Sequence, residues 1–196
     1  MIKRAIESLN YRISRFIYPI TQPKMLGRKR NFQGEKIKNT SIGNTTFIDY
    51  PEKFIISDYT YIGHHNFIEA SQGIALGEGC QITDFVSITT HSSHISIRLY
   101  GRNFNRFQNH IGYIKAAISI GSYSFIGPHS VIMPETKIGK GSIVSAYSYV
   151  KGEFPDFSII SGNPARVIGD TRDLDKKYLD ENPELIDFYQ EWINLS

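Results

Sequence analysis

The chain has 196 residues, 40% of them hydrophobic and 21% charged, with a formal net charge of +3. That is the composition of one soluble globular domain with some terminal elaboration and a sizeable core, and it falls well short of a dedicated nucleic-acid binder. A single cysteine, Cys80, excludes an internal disulfide and any cysteine-based zinc motif. With no apolar run near the roughly 18 residues of a membrane span and no signal-peptide pattern at the start, the expected compartment is the cytoplasm.

In chain order, the first predicted element is a helix over residues 2–20, with apolar side chains at 2, 6, 9, 13, 16, 17 and 20 and basic residues on the other face. Two roles fit it. It caps an exposed end of the fold that follows, which is the expected role, or it associates peripherally with a membrane surface. Arg28, Lys29 and Arg30 then form a local basic cluster, read as a solvated surface turn within a linker that runs to residue 39.

From Ile42 the chain becomes periodic. Aliphatic residues open six-residue steps at Ile42, Ile48, Ile56, Ile62 and Ile68, then at Leu76, Ile82 and Ile88, and again from Ile120 through Ile126, Ile132, Ile138, Val144 and Val150. A six-residue step makes one short strand and one turn. Three steps return the chain to its starting direction one strand spacing higher, so that the first position of each step points inward and stacks into a continuous core. Gly, Asp or Asn in second or third place is expected to serve turns of unusual backbone angle.

The array is interrupted once, between Ser93 and Ile118. The insertion leaves directly after ITTHSSH, which carries His91 and His94, and interleaves Arg98, Arg102, Arg106 and Lys115 with Tyr100, Phe104 and Phe107. Basic and aromatic side chains together suit an anionic substrate, a sugar ring or a neighbouring subunit, and long loops in compact domains tend to be functional. After SGNPARVIG, Ser161 to Gly169, residues 173–195 are expected to form one or two short helices broken near Pro183, with Phe188, Tyr189 and Trp192 available for packing.

The stretch ISIGSYSFIGPHSVIMPETKIGKGSIVSAYSYVKGEFPDFSIISGNPARVIG, Ile118 to Gly169, resembles the hexapeptide-repeat proteins, most of which are acyltransferases using acetyl-CoA. The likeness is strongest to the galactoside, maltose and xenobiotic acetyltransferase branch, which includes enzymes that O-acetylate surface polysaccharides. It implies an all-β left-handed parallel β-helix with N-terminal and C-terminal α-helices and one long loop insertion. The division implied is 1–39 as helix and basic linker, 40–169 as the β-helix with insertion 94–117, and 170–196 as a C-terminal helical segment.

The activity implied is transfer of acetyl from acetyl-CoA to a hydroxyl of a sugar or of a surface glycan (capsule, lipopolysaccharide or exopolysaccharide). Such a transfer needs a base, because a neutral alcohol is a poor nucleophile until its proton is taken as it attacks. The resemblance assigns that role to His91, which follows a coil step just before the long loop. Asp84, in ITDFVS, either orients the imidazole or is a coil-turn aspartate. His94 either helps to place the acceptor or merely begins the loop, and Arg98 and Tyr100 are further acceptor-binding candidates. His64, His65, His110 and His129 read as surface or turn residues.

For acetyl-CoA, the resemblance assigns Arg166 in NPARVI to the phosphates, Lys151 to the adenosine phosphate region, and backbone groups at Pro128 and Ala146 to the pantetheine arm. One departure is Phe125 in SFIG, where the related sequences often carry Trp. A homotrimer with active sites between subunits is expected, the oxyanion donor being a backbone N–H of the neighbouring subunit, and no metal is required.

Three other readings stand beside this one. A nucleotide-sugar N-acetyltransferase is one alternative. A γ-class carbonic anhydrase is another; it shares the coil and binds zinc through three histidines, for which His91 and His94 with His64 or His65 are the candidates. A non-catalytic assembly module is the third, disfavoured by the NPARVI end.

Overall fold

A computed structural model describes residues 2–194; side chains at 2–5, 7, 8, 16 and 19–21 lie outside the described residues, as does Leu195. Most of the chain winds through three parallel faces in strict rotation. Face A contains Tyr61–Ile62, Gln81–Ile82, Phe125–Ile126 and Ile143–Val144, face B contains Phe67–Glu69, Ser87–Thr89 and Val131–Ile132, and face C contains Ile74–Leu76, Ile118–Ile120 and Lys137–Ile138. Strands stack in register, so Ile62 lies beside Ile82 and Ile82 beside Ile126, Ile68 beside Ile88, and Leu76 beside Ile120.

These are the first positions of the repeat, and they form the core. Ile56, Ile62, Ile68, Leu76, Ile82, Ile88, Ile126, Ile132, Val144 and Val150 are all fully buried. Hydroxyl residues at the fifth place are buried as well, and their polar atoms are satisfied: Ser130 Oγ donates to the Ser145 carbonyl at 3.0 Å and Thr136 Oγ1 to the Met133 carbonyl at 2.7 Å. Each layer therefore depends on the layers beside it. Ile126→Ala, in the middle of the stack, is expected to destabilise the protein by about 2–5 kcal/mol. Urea titration followed by circular dichroism measures this, and a loss below about 1 kcal/mol would mean the stack is not the principal core.

The second-place glycines of the repeat have a different purpose from the one expected. Left-handed backbone falls at the fourth place of the step, at Tyr59, His65, Phe85, Tyr123, His129, Tyr147 and Phe157, most of them aromatic. On the edge between faces A and B these rings stack from coil to coil, His65 on Phe85 at 5.0 Å, Phe85 on His129 at 5.0 Å and His129 on Tyr147 at 4.8 Å. Second-place glycines instead permit close approach of coils: a Cβ on Gly127 would lie 2.6 Å from the Ala146 nitrogen, and one on Gly63 would fall on the Asp84 carboxylate.

Spacing along the core shows where the coil is irregular. Passing from face A to B, or from C to A, takes six residues in every turn, as from Ile62 to Ile68 and from Leu76 to Ile82. Passing from B to C takes eight residues from Ile48 to Ile56 and from Ile68 to Leu76, thirty-two from Ile88 to Ile120, six from Ile132 to Ile138, and only four from Val150 to Phe154. The B–C edge thus absorbs the slips of the repeat and the insertion alike.

The ends differ from expectation on one side. Residues read as a basic linker form strand β1 (Met25–Arg30), which pairs antiparallel with β2 (Lys36–Gly43) at the first turn of the coil. Phe32, in the connection between them, stacks on buried Phe54 at 5.8 Å and closes this end of the core, with the Arg28 guanidinium 4.1 Å above its ring. The predicted first helix, α1 (Ile2–Thr21), is present, with Ile6, Leu9 and Ile13 exposed. At the other end α3 (Thr171–Glu181), a 3-10 turn at Pro183–Leu185 and α4 (Ile186–Ile193) follow the predicted break. Trp192 packs on Tyr123 at 4.8 Å and on Tyr189 at 5.3 Å.

Cys80 is buried, and burial pushes its thiol up to about 11. No described helix is long and apolar enough to cross a membrane.

Candidate functional site

His91 stands on the B–C edge, at the point where the chain leaves the coil. Strand His91–Ser92 pairs antiparallel with Ile114–Lys115, so the insertion departs and returns as a short two-stranded ribbon. Between its ends lie α2 (Ser96–Tyr100) and a 3-10 segment at Gly101–Arg106. An aromatic cluster holds this loop together: Tyr100 lies 5.0 Å from Phe107 and 4.9 Å from His110, and His110 stacks on Phe104 at 3.9 Å. His110 Nε2–H donates to the Phe104 carbonyl at 2.7 Å, closing the turn. The insertion is therefore an ordered element anchored beside His91.

The imidazole is held from below. Glu69 lies on the preceding coil, its Cα paired with that of Thr89, and is only 3% exposed. Its Oε1 accepts from the Ser71 N–H at 2.8 Å, and its Oε2 from the Thr90 N–H at 3.0 Å, the Thr90 hydroxyl at 2.9 Å and His91 Nδ1 at 2.8 Å. Burial alone would raise the Glu69 carboxyl, but the hydrogen bonds from Ser71 and Thr90 outweigh it and hold the group down at about 2. An ionised carboxylate can only accept, so Nδ1 carries a proton, and in the neutral ring it is Nε2 that presents the lone pair. The His91 side chain is 38% exposed, and Nε2 has no partner among the described residues. Tyr113 stands edge-on to the ring at 5.8 Å and 90°.

Asp84 does not orient His91. It lies on the A–B edge, where its Oδ1 accepts from the His64 N–H at 2.6 Å, and Gly63 leaves the space its carboxylate occupies. It is a coil-turn aspartate, because seven residues back from His91 is around a corner of the coil, whereas the residue stacked beneath is about one full turn earlier. Glu69 was legible in principle: Ile48, Ile68 and Ile88 recur every twenty residues, and twenty back from Thr89 is the one acidic side chain of IEASQG.

His94 Nδ1 meets Ser92 Oγ at 2.8 Å, and its backbone carbonyl accepts from the Arg98 guanidinium, so both residues lie at the mouth of the loop. The Tyr100 hydroxyl accepts from the Ile111 N–H at 3.0 Å, and its ring is part of the loop's aromatic cluster. Among the described residues no three His, Cys, Asp or Glu side chains are grouped as a metal site.

The residues assigned to acetyl-CoA divide between two edges. Pro128 and Ala146 lie on adjacent turns of the A–B edge, where the Tyr147 N–H donates to the Pro128 carbonyl at 3.0 Å. Arg166 follows the tight turn out of Ser158–Gly162, a turn pinned to the same edge by the Gly162 N–H donating to Ser148 Oγ at 3.2 Å. Lys151 lies on the B–C edge with His91, two turns further along, since Ile88, Ile132 and Val150 are successive neighbours on face B. Lys151 and Arg166 are both exposed.

Comparison with known proteins agrees with this architecture. Residues 117–152 match the family model described as bacterial transferase hexapeptide (six repeats). Galactoside O-acetyltransferase of Escherichia coli K12 is 29% identical over 146 residues, covering 70% of this chain and 67% of that protein. A putative lipopolysaccharide biosynthesis O-acetyl transferase of the same organism, WbbJ, is 26% identical over 164 residues, covering 81% and 79%. A probable acetyltransferase of Mycobacterium tuberculosis is 25% identical, and the chain spans only 40% of its length. Among solved structures, AntD, an N-acyltransferase from Bacillus cereus crystallised with dTDP and 3-hydroxybutyryl-CoA, superposes with a TM-score of 0.54 at 20% identity, covering 74% of this chain and 89% of that one. At that identity the likeness is one of fold, and with the repeat match it implies the left-handed form of the coil. Over residues 117–152 the chain is thus similar to the hexapeptide-repeat transferases, and over most of its length to the two O-acetyltransferases.

Proposed function

We propose that this transferase is an acetyl-CoA-dependent O-acetyltransferase that modifies a hydroxyl of a sugar or surface glycan, with His91 as general base and the active site between subunits of a homotrimer. The observation that carries the proposal is the Glu69–His91 pair, a buried ionised carboxylate that fixes one ring nitrogen and leaves the other presented beside an ordered loop. Relatives named as O-acetyltransferases support the chemistry.

Acetyl-CoA supplies the acyl group as a thioester. His91 Nε2 takes the acceptor's hydroxyl proton as that oxygen bonds to the thioester carbon, and gives a proton to the sulfur as the carbon–sulfur bond breaks. Glu69 stabilises the imidazolium between these two events while remaining ionised itself. Arg166 offers a planar donor fork to phosphate oxygens and Lys151 a point charge; neither is ion-paired among the described residues, which fits them to a polyanionic co-substrate. Pro128, Ala146 and Arg166 share the A–B edge while His91 and Lys151 share the B–C edge. A three-fold assembly that sets one edge of a subunit against the other edge of its neighbour would unite them, which is the reason for proposing a trimer.

Incubation with acetyl-CoA, a free-thiol reagent and panels of neutral, acidic and nucleotide-linked sugars tests the reading directly. Acceptor-dependent thiol release is expected, with ester rather than amide products. Stoichiometric zinc together with bicarbonate dehydration would overturn it in favour of the carbonic anhydrase reading. Arg166→Ala is expected to raise the Michaelis constant for acetyl-CoA about tenfold or more, and an unchanged constant would remove Arg166 from phosphate binding.

A further inference from the structure

The ribbon that carries His91 also carries a cation with no anionic partner among the described residues. His91 and Lys115 are directly opposed across the antiparallel pair, so their side chains project from the same face, and Tyr113, two residues before Lys115, shares it. The Lys115 ammonium lies over the Tyr113 ring, 4.8 Å from its centroid, while the same ring stands edge-on to the His91 imidazole at 5.8 Å. Tyr113 thus walls one side of the base and offers its face to the exposed Lys115 ammonium.

The charge is uncompensated. Residues 92–117 contain no aspartate or glutamate but carry Arg98, Arg102, Arg106 and Lys115. Glu69, the acidic group on His91, is 3% exposed and already accepts from Ser71, Thr90 and His91. Basic residues alone would suit a surface or a partner, but a cation paired directly across the ribbon from the residue that carries the base points to the substrate itself.

We propose that His91, Tyr113 and Lys115 form an acceptor subsite for a sugar bearing a negative group, phosphate or carboxylate, close to the hydroxyl that receives the acetyl. This deepens the acetyl-transfer reading above and rests on it. Productive binding then requires the acceptor's anion to reach the Lys115 ammonium while its hydroxyl faces His91 Nε2. Neutral sugars of the same size lack the first contact and are poor acceptors.

The test uses the full chain saturated with CoA and follows the His91 imidazole resonances by NMR during titration with glucose, glucuronate and glucose 1-phosphate, and with their galactose counterparts. At least one anionic probe is expected to shift the His91 signals saturably at concentrations where the neutral sugars do not, with weaker binding as salt is raised. The phosphate and carboxylate arms identify which anion the subsite prefers. Lys115→Gln is expected to weaken that binding about tenfold or more, and Lys115→Arg to restore most of it. The proposal is overturned if no anionic probe moves the His91 signals, if neutral sugars bind as tightly, or if Lys115→Gln binds like the wild type. Failure of the protein to bind CoA, or to release thiol with any acceptor, would instead overturn the acetyl-transfer reading.

Discussion

His91→Ala is expected to lower acceptor-dependent release of CoA by about a hundred- to ten-thousand-fold while leaving the affinity for acetyl-CoA nearly unchanged. The imidazole is the only group on this ribbon with a lone pair presented at a position fixed from behind. Lys115 is a cation, and the nearest carboxylate, Glu69, is buried and consumed by its own donors. Removing the ring leaves no base, yet touches neither the A–B edge nor Lys151. Steady-state thiol release together with calorimetric titration of CoA separates the two effects. Normal turnover in the variant would exclude His91 as the base, whereas loss of CoA binding would place it in the co-substrate groove.

Glu69→Gln is expected to cost nearly as much turnover, about a hundred- to ten-thousand-fold, although this side chain touches no substrate. Four donors converge on the carboxylate, and a carboxamide answers them with one oxygen and one NH₂ group that is itself a donor. A donor facing Nδ1 favours the tautomer protonated on Nε2, which cannot act as a base. The distinguishing readout is the tautomer: nitrogen NMR of His91 should show Nδ1 protonated in the wild type and a shift toward Nε2 protonation in the variant. A turnover loss with the tautomer unchanged would reduce Glu69 to a structural residue.

The same carboxylate links stability to pH. Held at about 2 in the folded protein against an ordinary value of 4.5, it contributes about 3 kcal/mol that is fully present above pH 4.5 and is lost as pH falls toward 2. The stability gap between wild type and Glu69→Gln should therefore be widest near neutral pH and should close in acid. Urea midpoints at pH 7 and pH 3 measure it, and a gap that stays constant would contradict an ionised Glu69. Because Glu69 stays charged through the working range, an acid limb in the activity profile reports the base and not its partner.

Much of the fold could be read from the chain because each aliphatic first position is constrained alone: a six-residue step has one inward place, and Ile62, Ile82 and Ile126 fill it whatever their neighbours do. The purpose of the glycines was harder to read, since close approach at Gly127 and Gly63 depends on the next coil, not on the turn itself. The part played by Phe32 at the first end was hidden for a similar reason: the hairpin reaches Phe54 only once β1 and β2 pair.

The sequence by itself determined a repeat that must coil, the residues that line its core, and the position of His91 beside the one large interruption. Only the tertiary structure decided what meets His91. Glu69 lies one irregular coil away, Asp84 around a corner, and Tyr113 and Lys115 beyond an insertion whose ends are brought together by strand pairing. Core positions are set by a period local to each step, whereas contacts at the edge depend on the slips in that period and on the path of a loop with no period at all.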